Sequence, residues 1–332
     1  MNKTILLIKR PVGKPTLADF KIISGDLPEP AAGEVLLKTL YVSVDPYLRG
    51  RMNDQKSYIP PFELSKPIQS AIVAEVMESN GNDLFKKGDC VTGHLQWSEF
   101  QISIGKGLIK VNSADAPLPA WLGVLGMTGL TAYLGLTEIG LPKAGETLVV
   151  SGAAGAVGTI VGQIGKRMGC KVVGITGSDK KATLLKSKFK YDEAINYKTC
   201  SDLASAIQQA CPAGVDLYFD NVGGVISDGV YPNINKHARL IVCGAISTYN
   251  ETKIPTGPRI ETLLLTRSAT MRGFIVSDFQ NKFPEAIRQL AAWLKAGEIT
   301  YADTLVNGFE SIPQAFLDLF EGKNEGKMIV KV

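Results

Sequence analysis

The sequence predicts an α/β protein: a doubly wound parallel sheet joined to a separate β-rich barrel. Two observations carry that prediction. From Gly145 onward, short apolar runs alternate with helical stretches, the pattern of strand–helix–strand units whose sheet is covered on both faces. Before about residue 125, apolar runs are broken by Pro and Gly at intervals that suit a small barrel. The chain has 332 residues, 45% of them hydrophobic, which is enough for two cores.

The elements follow in order. Met1 to Arg10 has too short an apolar stretch for a signal peptide and reads as a first strand. Glu34 to Val44 is mostly apolar with β-branched residues, as in a buried strand. Ala71–Met77 and Asp89–Gly93 are further strands, the latter entered through a turn at Lys86–Asp89. Asp54 to Pro67 is polar and Pro-rich, so a mobile loop is expected there.

In the second half, Thr147–Ser151 reads as a buried strand. The helix after it sets Val157, Ile160, Val161, Ile164 and Met168 on one face at spacings of three and four. Lys171–Ile175 is the next strand, followed by a helix from about Lys180, a short strand near Ala194–Ile195 and a helix through Ile207. Val215–Asp220, Arg239–Cys243 and Met271–Val276 are strand-like, and a helix runs from Asp278 to about Lys295. A helix near Pro313–Phe320 precedes a last strand at Lys327–Val332, expected to fold back on the N-terminal domain. The expected division is residues 1–125 with 300–332, and residues 126–299.

Composition narrows the function. No run of ~18 apolar residues predicts a membrane span. The net charge of +4 is small, and Lys and Arg form no long run, so nucleic acid is not the expected partner. Five scattered cysteines without a CxxC pair argue for reduced thiols in a cytoplasmic protein.

The strongest local motif is Ser151-Gly152-Ala153-Ala154-Gly155-Ala156-Val157-Gly158, between a predicted strand and a predicted helix. It is a GxGxxG variant with Ala153 at the first glycine position. Gly155 lets the backbone approach a pyrophosphate, Gly158 lets the helix pack on the strand, and the helix N-terminus supplies N–H groups and a favourable dipole. The second strand ends in Thr176-Gly177-Ser178 with no carboxylate at its tip. Asp179 reads as the cap of the next helix, and Lys180 and Lys181 stand in its first turn. An acid at the tip would bind a ribose 2′-hydroxyl; its replacement by cations favours the 2′-phosphate of NADP.

Six ordered motifs resemble the zinc-free medium-chain dehydrogenase/reductases, in the branch of leukotriene B4 dehydrogenase/prostaglandin reductase, alkenal double-bond reductase and bacterial curcumin reductase. They are Ser43–Met52, Gly126–Tyr133, Gly155–Gly158, Asp220–Gly224, Cys243–Asn250 and Gly322–Lys327. The resemblance spans nearly the whole chain. It implies a Rossmann domain with a GroES-like domain, NADP as cofactor and a homodimer. It places Lys181 and Tyr197, beside Ser178, at the 2′-phosphate, and Asn221 at the ribose. Cys243, Gly244, Ala245, Ile246 and Ser247, with Phe274 and Ile275, would line the nicotinamide, and Asn324 would reach the cofactor. Tyr249 matches a tyrosine that holds the substrate carbonyl, and Tyr47 one that lines the substrate pocket.

The zinc enzymes of the wider superfamily carry a Gly-His-Glu motif. The corresponding stretch here is Ser70–Val76, which has no histidine, and the chain holds only His94 and His237. A catalytic zinc needs about three converging ligands, so none is expected. Conjugation with a carbonyl then makes a double bond electrophilic. Hydride goes to the β-carbon, charge moves to the carbonyl oxygen, and a donor such as Tyr249 stabilises the enolate. Arg49 and Arg51 are candidates for an acidic substrate tail or for surface salt bridges. A zinc-free quinone reductase and a non-catalytic NADPH sensor stay open as alternatives.

Overall fold

The computed structural model describes residues 1–332. The chain divides into two compact units, Met1–Leu122 with Asp303–Asn324 and Met328–Val332, and Gly123–Ala302 with Glu325–Lys327. Its first strands are β1 (Asn2–Leu7), β2 (Phe20–Gly25), β3 (Glu34–Ser43), β4 (Lys66–Pro67) and β5 (Gln69–Asn80). Next come β6 (Cys90–Gln96), β7 (Phe100–Ser103) and β8 (Ile109–Val111). The second unit holds β9 (Thr147–Ser151), β10 (Lys171–Thr176), β11 (Glu193–Asn196), β12 (Val215–Asp220), β13 (Ile234–Val242) and β14 (Thr270–Gly273). The last two strands are β15 (Asp303–Asn307) and β16 (Lys327–Lys331).

The first unit is the expected β-rich domain, and hydrogen bonding orders its strands into two sheets. One has the order β2-β1-β4; the other runs β15-β16-β3-β5-β6-β8 with β7 also beside β3. The sheets are stitched by a bridge between Thr4 and Ser98 and by the Ile5 N–H on the Trp97 carbonyl at 2.8 Å. Trp97 is fully buried, stacked on Phe20 with ring centroids 6.5 Å apart, and its Nε1 donates to Ser70 Oγ at 2.8 Å. The bond leaves no polar atom of that indole unsatisfied.

The expected mobile loop before Pro67 is tied down along its second half. Phe62 is buried, its N–H donates to Arg51 O at 2.7 Å, and Ser65 N–H donates to Leu7 O at 2.7 Å. Lys66 and Pro67 pair with β1 as an edge strand, a place in a sheet where a residue without an N–H is tolerated.

The second unit is the doubly wound sheet. Its six strands are parallel in the order β11-β10-β9-β12-β13-β14. The chain starts in the middle at β9, moves outward through β10 and β11, then crosses back to lay β12 on the other side of β9. Strand order therefore reverses between β9 and β12, and the crevice beyond their carboxyl ends is where such sheets bind ligands. Strand β9 is buried along its full length. The helix Gly158–Arg167 packs on the sheet through Ile160, Val161 and Ile164, each at most 1% exposed. Gly165 lets it come close: a Cβ there would lie 2.5 Å from Leu148 Cδ2.

Two helix boundaries differ from the sequence reading. The predicted helix from Asp278 is a 3-10 segment, Val276–Lys282, broken at Phe279, followed by the α-helix Phe283–Lys295 with Pro284 in its first turn. Pro lacks an N–H and suits a helix start rather than an interior. The helix predicted from Lys180 begins at Asp179, and its cap is Ser178 rather than Asp179. Ser178 has extended backbone angles, and its hydroxyl accepts the Lys181 N–H at 3.3 Å. Asp179, already inside the helix, accepts instead from Asn196 Nδ2 at 2.9 Å.

Candidate cofactor and active site

The turn after β9 is built around glycine. Gly152 takes the left-handed conformation, φ +57°, which frees Ala153 to be fully buried. The first special glycine of the motif is thus Gly152, one residue before the position expected. Gly155 N–H closes the turn on Gly152 O at 2.9 Å. Ala156 and Val157 lead into the helix, with Val157 at its cap position. A Cβ on Gly158 would lie 2.6 Å from Ala153 Cα and from the carbonyl oxygens of Ala153 and Gly152. Only glycine fits there; the Thr159 and Ile160 N–H groups bond back to Gly155 O and Val157 O at 3.0 and 3.1 Å, and the helix N-terminus they complete is a favourable place for an anion. The residues fit a dinucleotide pyrophosphate.

Next to this turn lies the loop after β12, organised by the buried Asp220. Its Oδ1 accepts from Ser151 Oγ, Tyr218 Oη and the N–H groups of Val222 and Gly223, and its Oδ2 accepts from Ser227 Oγ. Such a satisfied buried carboxylate fixes a loop tightly. Asn221 is the residue presented: its Nδ2 donates to Ser151 O at 2.8 Å and its N–H to Ser151 Oγ at 2.9 Å. The Asp220 motif is visible in the sequence, but its role as the organiser is not.

The stretch after β13 continues the same rim. Cys243 and Gly244 donate their N–H groups to Asp220 O at 2.8 and 3.0 Å. Ile246 N–H reaches Asn221 O at 3.4 Å, and Ser247 N–H and Oγ both bond Val222 O, at 3.0 and 2.6 Å. Burial pushes the Cys243 thiol up to about 12, so it is no thiolate nucleophile at neutral pH. Tyr249 closes the short 3-10 turn Ile246–Thr248, and its hydroxyl oxygen accepts the Ala245 N–H at 3.3 Å. A Cβ on Gly244 would lie 3.2 Å from that oxygen, so glycine makes room for the phenol. Burial raises the Tyr249 pKa, which keeps the phenol protonated.

At the tips of β10 and β11 stands a cationic corner. Tyr197 N–H donates to Thr176 O at 3.0 Å, and its ring edge lies 3.2 Å from where a Cβ on Gly177 would be. Lys198 Cε is 3.4 Å from the same point. Burial lowers the Lys181 pKa; Glu325 opposes that, while Lys198 and Lys180 add to it. Sequence reasoning assigns no role to Lys198 or Glu325. Lys198 directly follows the short strand β11 and Tyr197, which is the signal that marks it; Glu325 lies within the Gly322–Lys327 motif, but nothing there tells that it faces these lysines.

The remaining expected residues are more dispersed. Phe274 is 9% exposed and packs in a tilted ring contact with Phe279 at 6.3 Å and edge-on to Phe219 at 6.5 Å. Its side chain belongs to the core of the second unit, leaving its backbone and Ile275 for the rim. Tyr47 and Asn324 both fall in the first unit. The Tyr47 hydroxyl is buried without a hydrogen-bond partner, and burial, with the Asp45 carboxylate, raises its pKa. Arg49 is 3% exposed and ties the carbonyls of Pro11 and Gly13 at 3.2 and 2.9 Å, which makes it a structural clamp rather than a substrate ligand or surface ion. Arg51 donates to Pro60 O at 3.0 Å and lies 4.0 Å over the Phe62 ring.

Comparison with known proteins fits this geometry. A family model described as the N-terminal domain of oxidoreductase matches residues 3–111, and one described as zinc-binding dehydrogenase matches residues 156–292. The chain belongs to the zinc-free medium-chain dehydrogenase/reductases. Despite the second model's description, no three His, Cys, Asp or Glu side chains are grouped to hold a metal ion. Among its relatives in the family, YfmJ of Bacillus subtilis is 56% identical over 333 residues, covering 100% of this chain and 98% of YfmJ. The NADPH-dependent curcumin reductase of Escherichia coli is 42% identical, covering 100% and 97% of the two chains. The NADP-dependent 2-alkenal reductase of Nicotiana tabacum is also 42% identical, with the same coverage. The crystal structure of CurA from Vibrio vulnificus in complex with NADPH superposes with a TM-score of 0.93 at 43% identity, covering 99% of both chains.

Proposed function

We propose that the chain reduces the carbon–carbon double bond of small α,β-unsaturated ketones and aldehydes with NADPH. The observation that carries this reading is the Tyr249 hydroxyl. Its oxygen already accepts from Ala245, so its own hydrogen is the part left to offer a ligand. It stands at the carboxyl end of the central strands, on the rim shared with Asn221 and Gly244.

Bound NADPH supplies the hydride, which goes to the β-carbon of the substrate. As it does, charge grows on the substrate carbonyl oxygen, and a phenol donor aimed there stabilises the enolate. Gly155, Ala156, Val157 and Gly158 seat the pyrophosphate and Asn221 the ribose. Ser178, Lys181 and Tyr197 take the 2′-phosphate. Cys243–Ser247 and the Phe274–Ile275 backbone line the nicotinamide, Asn324 adds a cofactor contact, and Tyr47 lines the substrate pocket. Curcumin and 2-alkenals, named for two relatives, fall in this substrate class.

The same reading includes a cytoplasmic homodimer. All five cysteines are free, which suits a reducing compartment. No helix is long and apolar enough to cross a membrane. Strand β14 is an edge of the six-stranded sheet, and joining two such edges would hide it.

The test is NADPH oxidation with trans-2-nonenal, 3-nonen-2-one, curcumin, a 15-keto-prostaglandin and a quinone, alongside NADH and a chelator. Saturated carbonyl products, preference for NADPH and indifference to the chelator are expected. Turnover of the quinone alone would replace this reading with quinone reduction, and NADPH binding without any turnover would replace it with a sensor.

A further inference from the structure

One carboxylate stands where the second unit gathers cations. Lys180 and Lys181 occupy the first turn of the helix Asp179–Ser187, and Lys198 reaches the same corner beside Gly177. Glu325 faces them: its Oε1 is 2.7 Å from Lys180 Nζ. Among the surrounding charges, it is also the one that acts most strongly on Lys181.

Glu325 is not on a loose tail. Its neighbour Gly326 donates its N–H to Ala154 O at 2.8 Å and bridges Gly155. Gly326 has φ +67°, and a Cβ on it would fall 1.9 Å from Ala302 O, so this backbone cannot shift to accept another residue. Lys327 N–H fastens the other side on Ala302 O at 2.9 Å. The carboxylate is therefore carried on backbone pinned to the glycine turn itself. As a stabilising ion pair it does little, because Lys180 is 81% exposed. Its consequence lies in the field at the corner.

The geometry points to Glu325 as a residue that sets how tightly, and how selectively, NADPH is held. Its carboxylate takes up part of the positive field that a 2′-phosphate would use, so a phosphate dianion must share Lys180 with it and meet its like charge. NADH brings no such dianion and is indifferent. Glu325 thus lowers affinity for the phosphorylated cofactor below what Lys180, Lys181 and Lys198 would give alone, which speeds release of NADP⁺ after turnover. The inference rests on reading Ser178, Lys181 and Tyr197 as the 2′-phosphate site.

The full-length protein and its Glu325→Gln variant would be titrated with NADPH, NADH, 2′,5′-ADP and 5′-ADP at low and high KCl. Glu325→Gln should bind NADPH and 2′,5′-ADP about 3- to 10-fold tighter at low salt, with less gain at high salt. Binding of NADH and 5′-ADP should change by less than about twofold on the same grounds. Adding Lys180→Ala to Glu325→Gln should remove most of the gain. Unchanged or weaker NADPH binding, or equal tightening of NADH, would overturn the role of Glu325. A parallel Lys181→Ala titration separates the two readings. If Lys181→Ala weakens NADPH selectively while Glu325→Gln does nothing, only Glu325 loses its role; if Lys181→Ala is unselective, the phosphate site fails and this inference with it.

Discussion

The ring of Tyr191 fills the space that a side chain on Gly162 would need. A Cβ at Gly162 would lie 2.2 Å from two ring carbons and 2.4 Å from the hydroxyl oxygen. That hydroxyl donates to Gly158 O at 2.7 Å, one turn earlier in the helix behind the pyrophosphate turn. A residue remote from any ligand thus helps seat the helix that would bind one. Gly162→Ala should lower stability by about 1–3 kcal/mol through overpacking. Urea denaturation checks this; an unchanged midpoint would mean that Tyr191 moves aside freely.

Tyr249→Phe removes the donor and keeps the ring. It should reduce kcat/KM for enones by about 10- to 100-fold, toward the low end for a lost oxyanion donor, and leave NADPH binding within about twofold. Stopped-flow hydride transfer and a separate NADPH titration check the two halves.

The protonation state of Tyr249 gives a pH test. Burial raises its pKa above the ordinary 10, and the working form is the protonated one. Activity that depends on this donor is therefore fully present below pH 10 and is lost only as pH rises through the shifted value. A kcat/KM profile falling with a midpoint near 8 would assign the proton elsewhere.

Lys181→Ala should raise the Michaelis constant for NADPH by about 10- to 100-fold, the scale of a lost hydrogen bond to a charged group, and that for NADH far less. Steady-state kinetics with both cofactors decide it. Equal changes would count against a phosphate contact.

Arg49→Lys should destabilise the first unit while leaving substrate preference alone. A lysine cannot reproduce the planar fork that reaches Pro11 O, Gly13 O and Asn53 Oδ1 together. The expected loss is about 1–3 kcal/mol. A specific rise in KM for carboxylated enones, with unchanged melting, would return Arg49 to the role of a substrate ligand.

The doubly wound sheet is legible because its central strands are short, mostly apolar runs, Thr147–Ser151 being the plainest. Strand ends and the glycine turn are local, so the positions of Gly155, Gly158, Asn221 and Tyr249 can be read from motifs. What escapes is decided by backbone angle or by distant contact. Ser178 and Asp179 are equally good caps by composition, and only the extended conformation of Ser178 chooses between them. Lys66–Pro67 looks like loop because proline weakens the strand signal, and its pairing with β1 is invisible locally. Phe274 sits in a motif that suggests a ligand contact, yet its ring is claimed by Phe219 and Phe279. Glu325 gains its meaning from lysines far earlier in the chain.

The pairing of β16 with β3 has a consequence for synthesis. Along one side of β3, Val35–Lys38 find β7 soon after they are made, but Tyr41–Ser43 wait for Ile329–Lys331. The parallel sheet from Thr147 to Gly273 needs nothing from so far downstream and can assemble while the ribosome is still working. Through that interval three residues of β3 offer bare backbone amides and carbonyls beside apolar side chains, an invitation to the wrong strand. The nascent chain is therefore vulnerable to aggregation until Ile329–Lys331 have been made, and slow decoding between β3 and those residues would lengthen the period when a chaperone is needed.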